Sequence, residues 1–149
     1  SLLIGSKGLR EGFSLGEILL MPTRMGFEKG QLILEIGHAS DCDEKLRQEI
    51  CDITGTKFIE GETSEVVDSV LLWWREDDGD LVDELVDGLT YLTETGPIWV
   101  LTPKAGRKGH VDASEIQDAA NIAGLSQTST ISVATDWTAT RIVPRKSKR

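Results

Sequence analysis

The stretch Glu35-Ile36-Gly37 is the first in the chain whose residue types could hold a ligand. It closes a short apolar run. An acid-x-Gly turn after a strand is how a nucleotide loop begins, because glycine lets backbone N–H groups approach the ligand. The next two glycine places hold Ala39 and Asp41. Alanine fits such a turn. Aspartate sets a like charge against a pyrophosphate, so the loop suits a ligand with a positive centre better, and Asp41 equally suits a helix cap. Glu60 and Glu62 follow at about the distance of a carboxylate that grips ribose hydroxyls, although solvated turn residues of this type are common at strand ends. Trp74 and Arg75 end the apolar part of VVDSVLLWWREDDGDL, residues 66–81, and would stand at the rim of the same crevice. Glu35, Gly37, Glu60, Trp74 and Arg75 are therefore the candidate cofactor-binding set.

A second constellation has the opposite charge. PKAGRKGH places Lys104, Arg107 and Lys108, with two glycines, between a strand end and a helix start. Cations, an adaptable backbone and a helix N-terminus make an anion site, while an exposed loop salt-bridged to an acidic surface uses the same residues. The acids at 76, 77, 78 and 80 precede a helix, where its dipole favours negative charge. They fail as a calcium loop, since a glycine in the sixth place would make Trp74 the first ligand. Cys42 and Cys51 show no triad order with His38, so no catalytic residue is assigned. His38, Asp41, Cys42 and Asp43 are too bunched for a tetrahedral metal site, and none is assigned.

These residues need elements to position them. GFEKGQLILEIG predicts a turn and a strand over residues 32–36. DCDEKLRQEICDITG predicts a helix with Leu46, Ile50 and Ile53 on one stripe, Asp41 or Asp43 at its cap and Gly55 at its end. TKFIEGE, SEVVDSVLLWW and PIWVLTPK predict strands, the last two apolar enough to be covered on both faces. Trp73 and Trp74 should point to opposite sides, one under a helix and one at the crevice. DGDLVDELVDGLTYLTETG predicts a helix with Leu81, Leu85, Leu89 and Leu92 on its apolar stripe. VDASEIQDAANIAG predicts a helix opened by a capping box, with Asp112 or Ser114 at the cap and Glu115 reaching back. TSTISVATDW and TATRIVPRK predict a final antiparallel pair. Alternating strands and helices predict an α/β fold: one Rossmann-like domain over residues 25–143, mostly parallel, with helices on both faces and a C-terminal antiparallel pair. Residues 1–24 read as an arm or extension, and residues 144–149 as a basic tail.

Bulk properties narrow the function. The chain has 149 residues, 39% of them hydrophobic and 28% charged, as in an ordinary globular domain. A net charge of −9 opposes nucleic-acid binding except through the tail PRKSKR. No apolar run approaches the ~20 residues of a membrane helix. Two cysteines and two histidines suit a reducing cytoplasm without structural zinc.

Two resemblances join this reading. MGFEKGQLILEIG, VVDSVLLWWREDDGDLVDELVD and IWVLTPKAGRKGHVDASEIQDAANIAGLSQTSTISVATDW, ending in TRIVPRKSKR, resemble the small actinobacterial family known as domain of unknown function 3052. That resemblance covers Met25 to the C-terminus and brings no activity. A more distant one is to class I S-adenosylmethionine-dependent methyltransferases. Their acid-x-Gly-x-Gly motif is similar to Glu35-Ile36-Gly37, with Ala39 and Asp41 in place of the later glycines. Their ribose-binding acid would fall near Glu60, their fourth strand looks like VVDSVLLWW, and LTYLTETGPIWVLTPK resembles their helix-glycine-strand-proline segment. This resemblance implies S-adenosylmethionine as the cofactor to test. The leading expectation is a non-catalytic binding or regulatory protein on a reduced methyltransferase-like fold, with a protein or small-molecule partner and room for a homo-oligomer. Its rivals are a methyltransferase with a divergent cofactor loop and an anion or nucleotide sensor at Lys104, Arg107 and Lys108.

Overall fold

A computed structural model of the chain describes residues 25–60 and 63–145. Residues 1–24, Gly61, Glu62 and the last four residues lie outside the described residues, and with them the expected arm and most of the basic tail.

Among the described residues, six strands form one sheet in the order β2-β1-β3-β4-β6-β5. They are β1 (Ile33–Ile36), β2 (Ile59–Glu60), β3 (Ser69–Trp73), β4 (Ile98–Pro103), β5 (Leu125–Ser132) and β6 (Trp137–Pro144). β1 pairs in parallel with β2 and with β3, and β3 in parallel with β4. β6 then inserts antiparallel between β4 and β5. Every residue of β3 and β4 is buried, as their unbroken apolar runs require of central strands covered on both faces.

Among the described residues, three helices cover the sheet. In α1 (Glu44–Thr54) the Asp43 carboxylate accepts from Leu46 N at 2.7 Å, and Gly55 ends the helix in the left-handed conformation at φ 76°. Leu46 and Ile50 of α1 pack on one face of the sheet with Ile33, Leu71, Trp73 and Trp99. α2 (Leu81–Leu89) and α3 (Ala113–Ile122) bury Leu81, Leu85, Ile116 and Ala120 on the other face, against Leu34, Val70 and Val100. Asp80 caps α2 by accepting from Val82 N at 2.9 Å, so part of the acidic run after Trp74 serves the helix start.

Some expectations are corrected. Leu92 lies beyond the end of α2, although it still packs on the core. The capping box of α3 does not form: Asp112 occupies the cap, but its side chain makes no capping bond, and only its carbonyl accepts, from Glu115 N at 3.0 Å. The short second strand expected within TKFIEGE is present at Ile59–Glu60.

Trp73 and Trp74 do alternate between faces, Trp73 in the α1 layer and Trp74 in the layer of α2 and α3. Trp73 meets Trp137 edge-on with ring centroids 4.8 Å apart, a geometry worth about 0.5–1.5 kcal/mol beyond burial. Among the described residues, none of 63–68 is helical. The face of β1 and β2 away from α1 therefore has no helix from the described part of that connection laid over it.

Candidate functional site

In open α/β sheets a ligand crevice lies beyond the carboxyl ends of two adjacent strands whose connections leave in opposite directions. Here those strands are β1, which leads towards β2, and β3, which leads towards β4. Gly37 ends β1 with φ 85°, so the backbone can turn there without strain. It also lies hard against β3: a Cβ on Gly37 would stand 2.4 Å from the Trp73 carbonyl oxygen.

Arg75 fills what remains of the crevice. Its Nη1 donates to Gly37 O at 2.8 Å and to Trp73 O at 3.1 Å, joining the two strand ends. Its Nε and Nη2 grip the Asp41 carboxylate at 3.0 and 2.6 Å, and Nη1 also reaches Asp78 at 3.2 Å. The guanidinium carbon lies 5.4 Å from the Trp137 ring centroid. The Arg75 hydrogen bonds hold the Asp41 carboxyl below its usual range. For Arg75 itself burial opposes the charge, but the Asp41 and Asp78 bonds outweigh it and raise its pKa. The loop after β4 closes over the same group, with Glu76 N donating to Gly109 O at 3.0 Å. Cys42 Sγ stands 3.3 Å from Arg75 Nη2, yet burial pushes its thiol up to about 11, which leaves it protonated and unreactive near neutrality. Both cysteines are free.

Glu35 is occupied in another way. Its buried carboxylate receives Arg47 Nε and Nη2, each at 2.6 Å, and Trp73 Nε1 at 2.9 Å. Arg47 also holds Glu44 at 2.7 Å and approaches Glu60 at 3.6 Å. Carboxylate oxygens of Glu35 and Glu60 and a ring nitrogen of His38 lie within 4.8 Å of one another, a spacing a metal could use. The guanidinium already supplies the positive charge there, and both oxygens of Glu35 are bound, so a metal would have to displace Arg47. The sequence offers one signal for this pair: a carboxylate inside an apolar strand needs a cation, and Arg47 follows Leu46 on the helix that covers that strand.

A cavity of about 420 Å³ opens on the opposite face at the ends of β1 and β2. It is lined by Leu34, Glu35, Ile36, Gly37, His38, Glu60, Glu84, Asp87 and Tyr91. The structure thus brings Glu35, Gly37 and Glu60 to one cavity. Arg75 stands apart at the closed crevice. Trp74 is 5% exposed within the core of the α2 and α3 layer and forms no crevice rim, because the strand alternation turns it under the helices. Sequence reasoning missed Glu84, Asp87 and Tyr91, which reach the cavity only through the packing of α2.

The cationic loop is partly spent. Arg107 Nε pairs with Asp136 Oδ1 at 2.9 Å, and Lys108 is exposed. Lys104 lines a separate cavity of about 310 Å³ with Asp43, Lys45 and Glu49. Among the described residues, no helix is long and apolar enough to cross a membrane.

S-adenosylmethionine, the cofactor implied by the fold, does not fit the crevice between β1 and β3 as it stands: Gly37 touches the end of β3, and Arg75 fills the gap. The fold itself is that of known methyltransferases. The pyocyanin biosynthetic protein PhzM superposes with a TM-score of 0.65 at 12% identity, over 86% of this chain and 54% of that one. The O-methyltransferase NcsB1 of neocarzinostatin biosynthesis, in complex with S-adenosylmethionine, gives 0.61 at 11% identity over 88% and 57%. The CcbJ methyltransferase from Streptomyces caelestis gives 0.57 at 8% identity over 87% and 89%. The chain spans about half the length of PhzM and NcsB1. By sequence it is 46% identical over 125 residues to uncharacterized proteins of Mycobacterium tuberculosis and Mycobacterium bovis, covering 84% of this chain and 78% of theirs. The model of a protein family of unknown function, DUF3052, matches residues 22–146, and the chain belongs to that family.

Proposed function

We propose that this chain is a non-catalytic binding or regulatory protein on a reduced methyltransferase-like fold, acting on a small-molecule or protein partner in a reducing cytoplasm. The observation that carries this reading is Arg75. Its guanidinium takes the Gly37 and Trp73 carbonyls at the switch point of the sheet, where an enzyme of this fold would admit a ligand. Of the groups beside it, the Asp41 carboxylate is taken up by the guanidinium and the Cys42 thiol is held protonated. The test is calorimetric titration of the full chain with S-adenosylmethionine and S-adenosylhomocysteine. The expected result is no saturable heat with either. Saturable heat that Gly37→Val removes would overturn the reading.

The second reading is an S-adenosylmethionine-dependent methyltransferase with a divergent loop. It is favoured by the fold neighbours and by Gly37 and Glu60 sharing one cavity. It requires Arg75 to swing out of the crevice, so Arg75→Ala should then tighten cofactor binding rather than leave it absent. The anion-sensor reading retains Lys104 and Lys108, with Arg107 tied to Asp136. Charge reversal at Lys104 and Lys108 should abolish phosphate binding if that reading holds.

A further inference from the structure

We infer that the cavity at the ends of β1 and β2 binds a small organic amine, with an ammonium head carried on an apolar or aromatic body. The inference rests on the reading of the chain as a small-molecule-binding protein and names the ligand class.

Three features of the cavity converge. First, its volume of about 420 Å³ is that of a small-molecule site, and it lies outside the carboxyl ends of the strands. The described part of the connection from β2 to β3 lays no helix over this face. Second, its wall offers apolar and aromatic surface: Leu34 and Ile36 from β1, and Tyr91 just beyond α2. An aromatic face beside carboxylates is how proteins hold ammonium groups. Third, its charge has one sign. Glu60, Glu84 and Asp87 line it, with His38 at its edge and no lysine or arginine. Glu60 is shared with Arg47, 3.6 Å away. Among the described residues, Glu84 and Asp87 have no cationic partner.

This electrostatic pattern selects among ligand classes. A phosphate or carboxylate would meet the Glu84 and Asp87 carboxylates and no donor cation. A neutral ligand would leave the carboxylates as crowded as before. An ammonium group relieves them and fits no other charge state of the wall. Burial, followed by the nearby charges of Asp87, Asp83 and Asp78, already pushes the Glu84 carboxyl up.

Tyr91 is the one tyrosine in the sequence, so 3-fluorotyrosine labelling of the full chain yields a single fluorine resonance at the cavity. The probes are phenethylamine and its neutral counterpart 2-phenylethanol, titrated at fixed ionic strength with calorimetry in parallel. The expected result is a saturable shift with the amine and at least tenfold weaker binding of the alcohol. The double variant Glu84→Gln with Asp87→Asn alters partly exposed side chains, and it should weaken the amine at least tenfold while the circular dichroism is unchanged. Equal shifts from amine and alcohol would overturn the cationic class. Heat without a Tyr91 shift would place binding elsewhere and overturn this site, while leaving the binding-protein reading intact. No shift and no heat with either probe would overturn the inference, and the binding-protein reading would then be judged by its own cofactor titration.

Discussion

Two arginines brace the carboxyl ends of the strands, and they do opposite things. Arg47 grips Glu35 with two bonds of 2.6 Å, and the Glu35 side chain is fully buried. Arg75 grips Asp41 with comparable bonds of 3.0 and 2.6 Å, but the Asp41 side chain is 53% exposed. The first pair fastens α1 to the sheet from inside the packed layer. The second closes a crevice while its carboxylate partner, Asp41, stays open to water. The same bidentate chemistry is thus a structural tie in one place and a latch in the other, and burial is what separates them.

The comparison is broken most forcefully at Arg47. Arg47→Ala leaves a buried carboxylate with only the Trp73 indole as donor, and should cost about 3–5 kcal/mol of stability in urea unfolding. Gly37→Val forces a side chain onto a left-handed backbone and into the Trp73 carbonyl. The backbone strain alone should cost about 1–3 kcal/mol, with the clash adding to it, as a lower urea midpoint would show. Arg75→Ala should cost about 1–3 kcal/mol, less than Arg47→Ala, because water already reaches the Asp41 carboxylate it leaves behind. If Arg75→Ala proves the more damaging, the distinction between tie and latch is wrong.

Acidity sharpens the same contrast. Asp41 has a folded pKa below its ordinary 3.8, so its contribution is fully present above that value. The contribution is lost as pH falls through the lowered one. The stability difference between wild type and Arg75→Ala should therefore be constant near neutrality and shrink at strongly acid pH. Glu84 runs the other way. Its folded pKa is raised by burial and by Asp87, Asp83 and Asp78, so stability is lost as pH rises through it. Glu84→Gln should stabilise the chain slightly at pH 7, by up to about 0.5 kcal/mol, with the gain fading below the ordinary carboxylate range. A melting temperature unchanged by Glu84→Gln at every pH would remove Glu84 from the account of the acidic cavity.

The layered α/β architecture was legible in the sequence because its signals are local. Asp43 and Gly55 bracket α1 by cap chemistry, and the apolar runs of β3 and β4 announce central strands. The alternation of Trp73 and Trp74 follows from strand geometry alone. The candidate site was legible only in outline. Glu35, Gly37 and Glu60 do share a cavity, but Arg47 lies twelve positions beyond Glu35 and Asp41 thirty-four before Arg75. Which cation closes on which carboxylate depends on how α1 and the loop after β3 pack, and no spacing rule encodes that. Trp74 misled for a related reason. Alternation says that the two tryptophans part, and only the position of α2 and α3 says that neither is left at the rim.

The strand order also sets a timetable. β6, residues Trp137–Pro144, follows β5 in the chain yet lies inside the sheet, between β4 and β5. During synthesis β5 emerges with nothing to pair against, and β4 has its second edge bare, until β6 follows. The hairpin of β5 and β6 is a short-range contact that forms quickly once both strands are free, whereas the parallel pairs need long crossovers. Closure of the sheet is thus deferred until β6 has been made, and a ribosome stalled before Pro144 would hold a chain with exposed strand edges that invite aggregation.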